Sequence, residues 1–154
     1  MFRRNVSTPT SQLYDQSDFY RAFERDVLSA RHRIIVESPF IAERRFCSIL
    51  PLFECAIRRG VVVIINTRNP DEHDLIMRNQ ALNCIGELQG LGVIVIYTGA
   101  LHRKIAILDD IVWEGSLNIL SQSDSCEIMR RTRSPEYAHH LIHFTKMAKW
   151  YNEG

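Results

Sequence analysis

Apolar and polar positions divide this chain into runs of two kinds. Arg33–Glu37 (RIIVE) and residues 61–66 (VVVIIN) are nearly unbroken apolar runs. Such runs read as strands buried on both faces. Residues 93–97 (VIVIY) are a third. The segments between them carry helical spacing. Phe19, Phe23, Val27 and Ala30 form one stripe of a helix over 18–31, with Ser17 as its N-cap. A second helix spans 43–59 and stops at Arg58-Arg59-Gly60; Pro51 should begin a new segment or kink it. A third covers 71–89 and ends near Gly90 and Gly92. Ser134-Pro135 opens a last helix over 135–152, with Tyr137, Leu141, Phe144, Ala148 and Tyr151 at helical spacing. Residues 1–14 are polar and predict a flexible lead or extended arm, leaving 15–154 as a single domain.

Residues 101–118, LHRKIAILDDIVWEGSLN, add a hairpin. Ile105 and Ile107 alternate against His102 and Lys104, which predicts a strand over 102–108 with His102 and Lys104 on one face. Asp109-Asp110 is a turn signal, and Val112-Trp113 begins a return strand that ends at Gly115. Ser116 and Asn118 are again two apart. The hairpin can therefore gather an imidazole, an ammonium, a hydroxyl and a carboxamide around one point. That set suits a phosphate: lysine supplies charge, serine and asparagine supply neutral hydrogen bonds, and histidine can attack or donate a proton. Residues 125–130 predict a further strand with Glu127 and Met129 on one face. The element order implies an α/β fold, a mixed β-sheet sandwiched by helices. Its early strands are parallel with right-handed crossovers, and its later ones form a meander.

Composition narrows the classes. The formal net charge is +1, so no global basic field advertises a polyanion, and any such site must be local. No run of apolar residues is long enough for a transmembrane helix. Cys47, Cys55, Cys84 and Cys126 form no CxxC and no disulfide framework, which predicts reduced thiols and a cytoplasmic setting. The N-terminal MFRRNVSTPTSQ lacks the apolar core of a secretory signal, as expected of a mature form or of a domain of a longer protein. There is no internal repeat, no P-loop and no GxGxxG. His139 and His143 have a zinc-compatible spacing, but position 140 is another histidine and no third ligand presents itself, so no metal site is expected.

The spacing His102-x-Lys104-x4-Asp109, followed by Gly115-Ser116-x-Asn118, resembles the HKD motif of the phospholipase D superfamily. It departs from the family at one point: the gap before Gly115 is one residue shorter, so Asp109 or Asp110 fills the aspartate position. The resemblance implies a half-unit that dimerises, since the family joins two HKD motifs and this chain has one. It implies a histidine that attacks phosphorus, giving a phosphohistidine, and a second histidine that protonates the leaving oxygen. It needs no cofactor or metal. His102, Lys104, Ser116 and Asn118 become the catalytic set. Glu127 becomes the carboxylate that orients His102, and Asp109 a member with a largely structural part. A single motif in a chain of this size resembles the bacterial endonuclease branch. The wording around it also resembles domains of bacterial helicases and of restriction or phage-defence enzymes.

The expected function is a metal-independent phosphodiesterase that cuts DNA as a homodimer, alone or with a helicase or ATPase partner, and with RNA still open as substrate. Arg68, Arg44 and Arg45 are candidates to hold flanking phosphates, because they lie near the carboxyl ends of early strands. Arg103, Arg130, Arg131 and Arg133 form a second basic cluster. Two rivals are a non-catalytic nucleic-acid-binding or dimerisation module and a phospholipid hydrolase. The second would want an amphipathic membrane segment, and none is evident.

Overall fold

In the computed structural model, which describes residues 10–121 and 124–151, the apolar runs make the middle of a mixed sheet. Its strands are β1 (Ser11–Asp15), β2 (Arg33–Glu37), β3 (Val62–Thr67), β4 (Ile94–Tyr97), β5 (Ile105–Leu108), β6 (Ile111–Gly115) and β7 (Ile128–Arg133). Their spatial order is β1-β7-β6-β5-β2-β3-β4. β2, β3 and β4 are parallel, and every other pairing is antiparallel. Helices α1 (Phe19–Ser29), α2 (Glu43–Arg58), α3 (Leu75–Gly90) and α4 (Pro135–Phe144) cover it.

The period of two along each strand divides the core. Ile34, Val36, Val63, Ile65, Ala106 and Trp113 face α1, α2 and α3. Ile35, Ile64, Ile107 and Val112 face the other way, onto Ala138, Leu141 and Ile142 of α4. β2 is buried at every position because both layers close over it.

Several boundaries differ from the sequence expectation. Residues 1–9 of the expected arm lie outside the described residues, and Ser11–Asp15 is an edge strand on β7. α1 starts after Asp18; the Ser17 hydroxyl donates to Asp15 instead of capping the helix. α2 runs through Pro51 as one helix. Its buried stripe of Phe46, Ile49, Phe53 and Ala56 crosses the proline, and that burial offsets a cost of about 3 kcal/mol. The third helix divides into a 3-10 turn, Pro70–Glu72, and α3, whose true cap is Asp74 accepting from the Met77 amide at 2.9 Å. The last helix stops at Phe144, and Lys146 in the left-handed region (φ 62°) turns the chain into a 3-10 turn, Met147–Trp150. The seventh strand starts at Ile128, later than expected, where Met129 pairs with Gly115.

Candidate active site

Sheet topology alone collects the pattern residues. The parallel strands β2 and β3 end at Glu37 and Thr67 on one rim of the sheet. β5 is antiparallel to β2 and begins there, with Ile105 opposite Glu37. β6 returns to the same rim, with Glu114 opposite Ile105, and β7 departs from it, with Met129 opposite Gly115. So the residues after β2, after β3, before β5, after β6 and before β7 meet at one place. They include Arg68, His102, Lys104, Ser116 and Glu127. Open α/β sheets bind ligands at this rim, beyond the carboxyl ends of their parallel strands.

His102 and Lys104 precede β5 and do not lie in it. Their segment is fixed by side chains. Arg68 donates to the Leu101 carbonyl from Nε at 3.2 Å and from Nη2 at 2.8 Å. The same Nη2 lies 3.3 Å from each ring nitrogen of His102. Lys104 Nζ donates to the His102 carbonyl at 2.7 Å, which leaves two of its N–H groups for a ligand. His102 and Ser116 are exposed, so a large substrate can reach both. The Arg68 guanidinium lies over the Phe40 ring at 5.1 Å, and Phe40 in turn packs on His73. Burial, with the Arg68 charge adding to it, lowers the proton affinity of His73.

On the other side of the site, Ser116 donates to the Glu127 carboxylate and accepts from the Ile128 amide at 3.0 Å. Gly115 precedes it for a packing reason: a Cβ there would sit 2.0 Å from the Ile128 carbonyl oxygen. The carboxamide oxygen of Asn118 is buried with no hydrogen-bond partner among the described residues. Tyr20 holds the loop beyond it, donating to the Ser121 carbonyl at 2.8 Å. The Arg45 guanidinium lies 3.3 Å above the Tyr20 ring. Burial pushes the Tyr20 hydroxyl up to about 12; Arg45 opposes the shift and the Glu127 charge adds to it.

The same architecture occurs in solved structures. Nuc from Salmonella typhimurium, a phospholipase D family member, superimposes with a TM-score of 0.72 at 18% identity, over 89% of this chain and 91% of Nuc. NucT from Helicobacter pylori gives 0.71 at 20%, over 89% and 93%. TrmBL2, an archaeal chromatin protein whose structure shows a novel mode of DNA binding, gives 0.65 at 12%, over 97% of this chain and 56% of TrmBL2. This chain has the phospholipase D fold. No family model matches the sequence, and no curated protein matches it.

Within the phospholipase D fold, the expected site residues fall into three groups. His102, Lys104, Ser116, Asn118, Glu127 and Arg68 come together at or beside the rim. Arg44 and Arg45 lie on the first turn of α2, Arg44 exposed and Arg45 on Tyr20. Asp109 does not join them. It sits at the far end of β5 with φ 52°, where its carboxylate accepts from the amides of Arg31, His32 and Arg33 at 2.8, 2.9 and 3.1 Å. That bonding also assigns Asp109 to the capping role, while Asp110 is the exposed turn residue beside it.

The second basic cluster is divided: Arg131 and Arg133 line one cavity, and Arg103 lies at the other rim. Arg103 makes a bidentate pair with Glu37, and Arg131 makes one with Asp26. Arg133 lines a cavity of about 740 Å³ at the opposite rim, beside Asp109. The His139 and His143 ring centroids lie 4.5 Å apart, and no group of three or more metal-ligating side chains occurs among the described residues. Among these residues, too, no helix is long and apolar enough to cross a membrane.

Sequence reasoning missed Glu37, Asn66 and Tyr20. A signal existed for the first two. Each is a polar residue at or next to the end of a parallel strand with an apolar middle, at the rim where such sheets place ligands.

Proposed function

We propose that the protein is a metal-independent phosphodiesterase that cuts DNA, with a site completed by a second copy of the chain. The observation that carries this reading is the convergence of His102, Lys104, Ser116 and Arg68 on one exposed rim. There a nucleophile, two cations and a hydroxyl can surround a single phosphate.

In this mechanism a neutral ring nitrogen of His102 attacks phosphorus in line with the leaving oxygen. A phosphorus–nitrogen bond forms and the phosphorus–oxygen bond breaks. The leaving oxygen takes a proton from the protonated His102 of the second copy. Water then attacks the phosphohistidine, gives its proton to that same partner histidine, and releases the phosphate end with His102 free. Lys104 and Arg68 neutralise the charge that builds on the non-bridging oxygens, the Asn118 carboxamide supplies a neutral donor, and the Ser116 hydroxyl supplies another when its proton turns from Glu127 to the phosphate. Glu127 accepts from Ser116 and serves as the carboxylate that orients His102. Two identical histidines can hold different protonation states because substrate binding breaks their equivalence.

A non-catalytic DNA-binding module is the second reading. The same fold in the chromatin protein TrmBL2 favours it. Subunit mixing separates the two. Wild type titrated with excess His102→Ala should lose activity faster than its own dilution, because heterodimers carry one histidine. Activity strictly proportional to wild-type chain contradicts a shared site, and no turnover at any ratio selects the binding module.

A further inference from the structure

Residues 101–104 carry the nucleophile yet belong to no strand. Arg68 holds their first carbonyl, and a second anchor lies in Arg103, the residue between His102 and Lys104. Its Nε donates to Glu37 Oε1 at 2.9 Å and its Nη2 to Oε2 at 2.8 Å. Glu37 is only 1% exposed and ends the central strand β2. Its Oε2 also accepts from Asn66 Nδ2 at 2.8 Å, and Asn66 Oδ1 accepts from the Thr98 hydroxyl at 2.8 Å. A chain of four side chains thus crosses the ends of β2 and β3 and the turn after β4, and terminates on the motif segment.

The cost of this arrangement argues for a use. β2 is otherwise apolar along Ile34, Ile35 and Val36, and an apolar residue at position 37 would fill the interior without the desolvation of a carboxylate. Arg103 is 40% exposed at its side chain, so solvent could have satisfied it without Glu37. A bidentate pair fixes direction as well as distance. A one-sided anchor at Arg68 would let the segment pivot; the second anchor removes that freedom.

We propose that Glu37 is a positioning residue. Acting through Arg103, and backed by Asn66 and Thr98, it fixes the His102–Lys104 segment against the rim of the sheet. Arg103 then serves the motif from within and does not track phosphate. This inference rests on the phosphodiesterase reading for its kinetic test and stands apart from it in a structural one.

The experiment compares Glu37→Gln, Arg103→Gln, the double variant and the conservative Arg103→Lys in the full chain. Two readouts are used: kcat and KM separately on DNA, and backbone 15N order parameters for residues 102–104. Each single Gln variant should lower kcat by about tenfold or more with KM within about twofold, the signature of lost positioning rather than lost binding. The double variant should be no worse than the poorer single one, because both break one unit. Arg103→Lys, which keeps the charge and loses the fork, should recover only part of the loss. Order parameters at 102–104 should fall from about 0.85 toward 0.6 while β5 and β6 stay rigid.

Unchanged kcat together with unchanged order parameters overturns the proposal. So does an Arg103→Gln variant that raises KM alone, which would make Arg103 a DNA contact. A wild type that cuts nothing refutes the phosphodiesterase reading, and the order parameters then decide this proposal by themselves.

Discussion

The Nη2 atom of Arg68 lies 3.3 Å from both ring nitrogens of His102, while the same guanidinium holds the Leu101 carbonyl at 2.8 Å. A phosphate arriving at His102 therefore meets a cation already in place. Arg68→Ala should lower kcat/KM by about 100-fold, within the range for loss of one charged transition-state contact. Arg68→Lys should lie between, since it keeps charge and loses the two-point grip on Leu101. Steady-state kinetics on both variants check this. Equal rates for wild type and Arg68→Ala would remove Arg68 from the site.

Asp109 has a different kind of importance. Its carboxylate gathers three consecutive amides at the start of β2, and its backbone is left-handed. Asp109→Ala leaves those amides without their acceptor and puts alanine at an unfavourable φ. It should cost about 2–3 kcal/mol in urea unfolding, with the turnover of the folded fraction unchanged. Asp109→Asn, which tolerates the backbone and keeps an oxygen acceptor, should cost about half as much or less. A loss of turnover that exceeds the loss of folded protein would restore Asp109 to the chemistry.

The glycine of the motif is explained by crowding. An added Cβ at position 115 would meet the Ile128 oxygen at 2.0 Å and the Met129 sulfur at 2.8 Å. β6 and β7 cannot close on each other unless the backbone gives way, and Ser116 moves with it. Gly115→Ala should destabilise the protein by about 1–3 kcal/mol and also lower its activity, as seen in thermal melts and in cleavage below the melting range. A variant with wild-type melting and cleavage would mean that the strand pair adapts freely.

His73 links stability to pH. Burial and Arg68 lower its proton affinity in the folded state, with Glu72 and Asp74 opposing. The folded protein then binds fewer protons at this site than the unfolded chain. Its contribution is fully present above the ordinary histidine value of about 6.5 and is lost as the pH falls through the lower, folded value. His73→Phe keeps a ring against Phe40 and removes the titration. Urea midpoints for the variant should therefore fall less than those of wild type below about pH 6.5. Parallel curves would show that His73 does not titrate differently on folding.

Much of the fold was legible because its strongest signals are local. Buried strands at RIIVE and VVVIIN announce themselves as apolar runs, and the hairpin from Ile105 to Gly115 as alternation around Asp109-Asp110. Errors came where tertiary contacts outweigh local preference. Pro51 is carried by the packing of the residues around it, and Ser17 loses the cap position to Asp18. His102 and Lys104 alternate as strand residues should, yet their segment, tied to Arg68 after β3 and to Glu37 of β2, lies outside the ladder. The pair Glu37–Arg103 joins residues 66 positions apart, which no window of sequence can display. Arg131 read as part of a surface cluster because its partner Asp26 lies on a helix far back along the chain.

Cleavage of plasmid and single-stranded DNA in EDTA, with wild type and His102→Ala side by side, decides whether His102 is the nucleophile of a metal-independent reaction. His102 is exposed, so its replacement should leave folding intact, as circular dichroism would verify. Cutting should survive chelation and disappear with the imidazole. Cutting that stops in EDTA, or that persists at the wild-type rate in His102→Ala, would contradict that expectation.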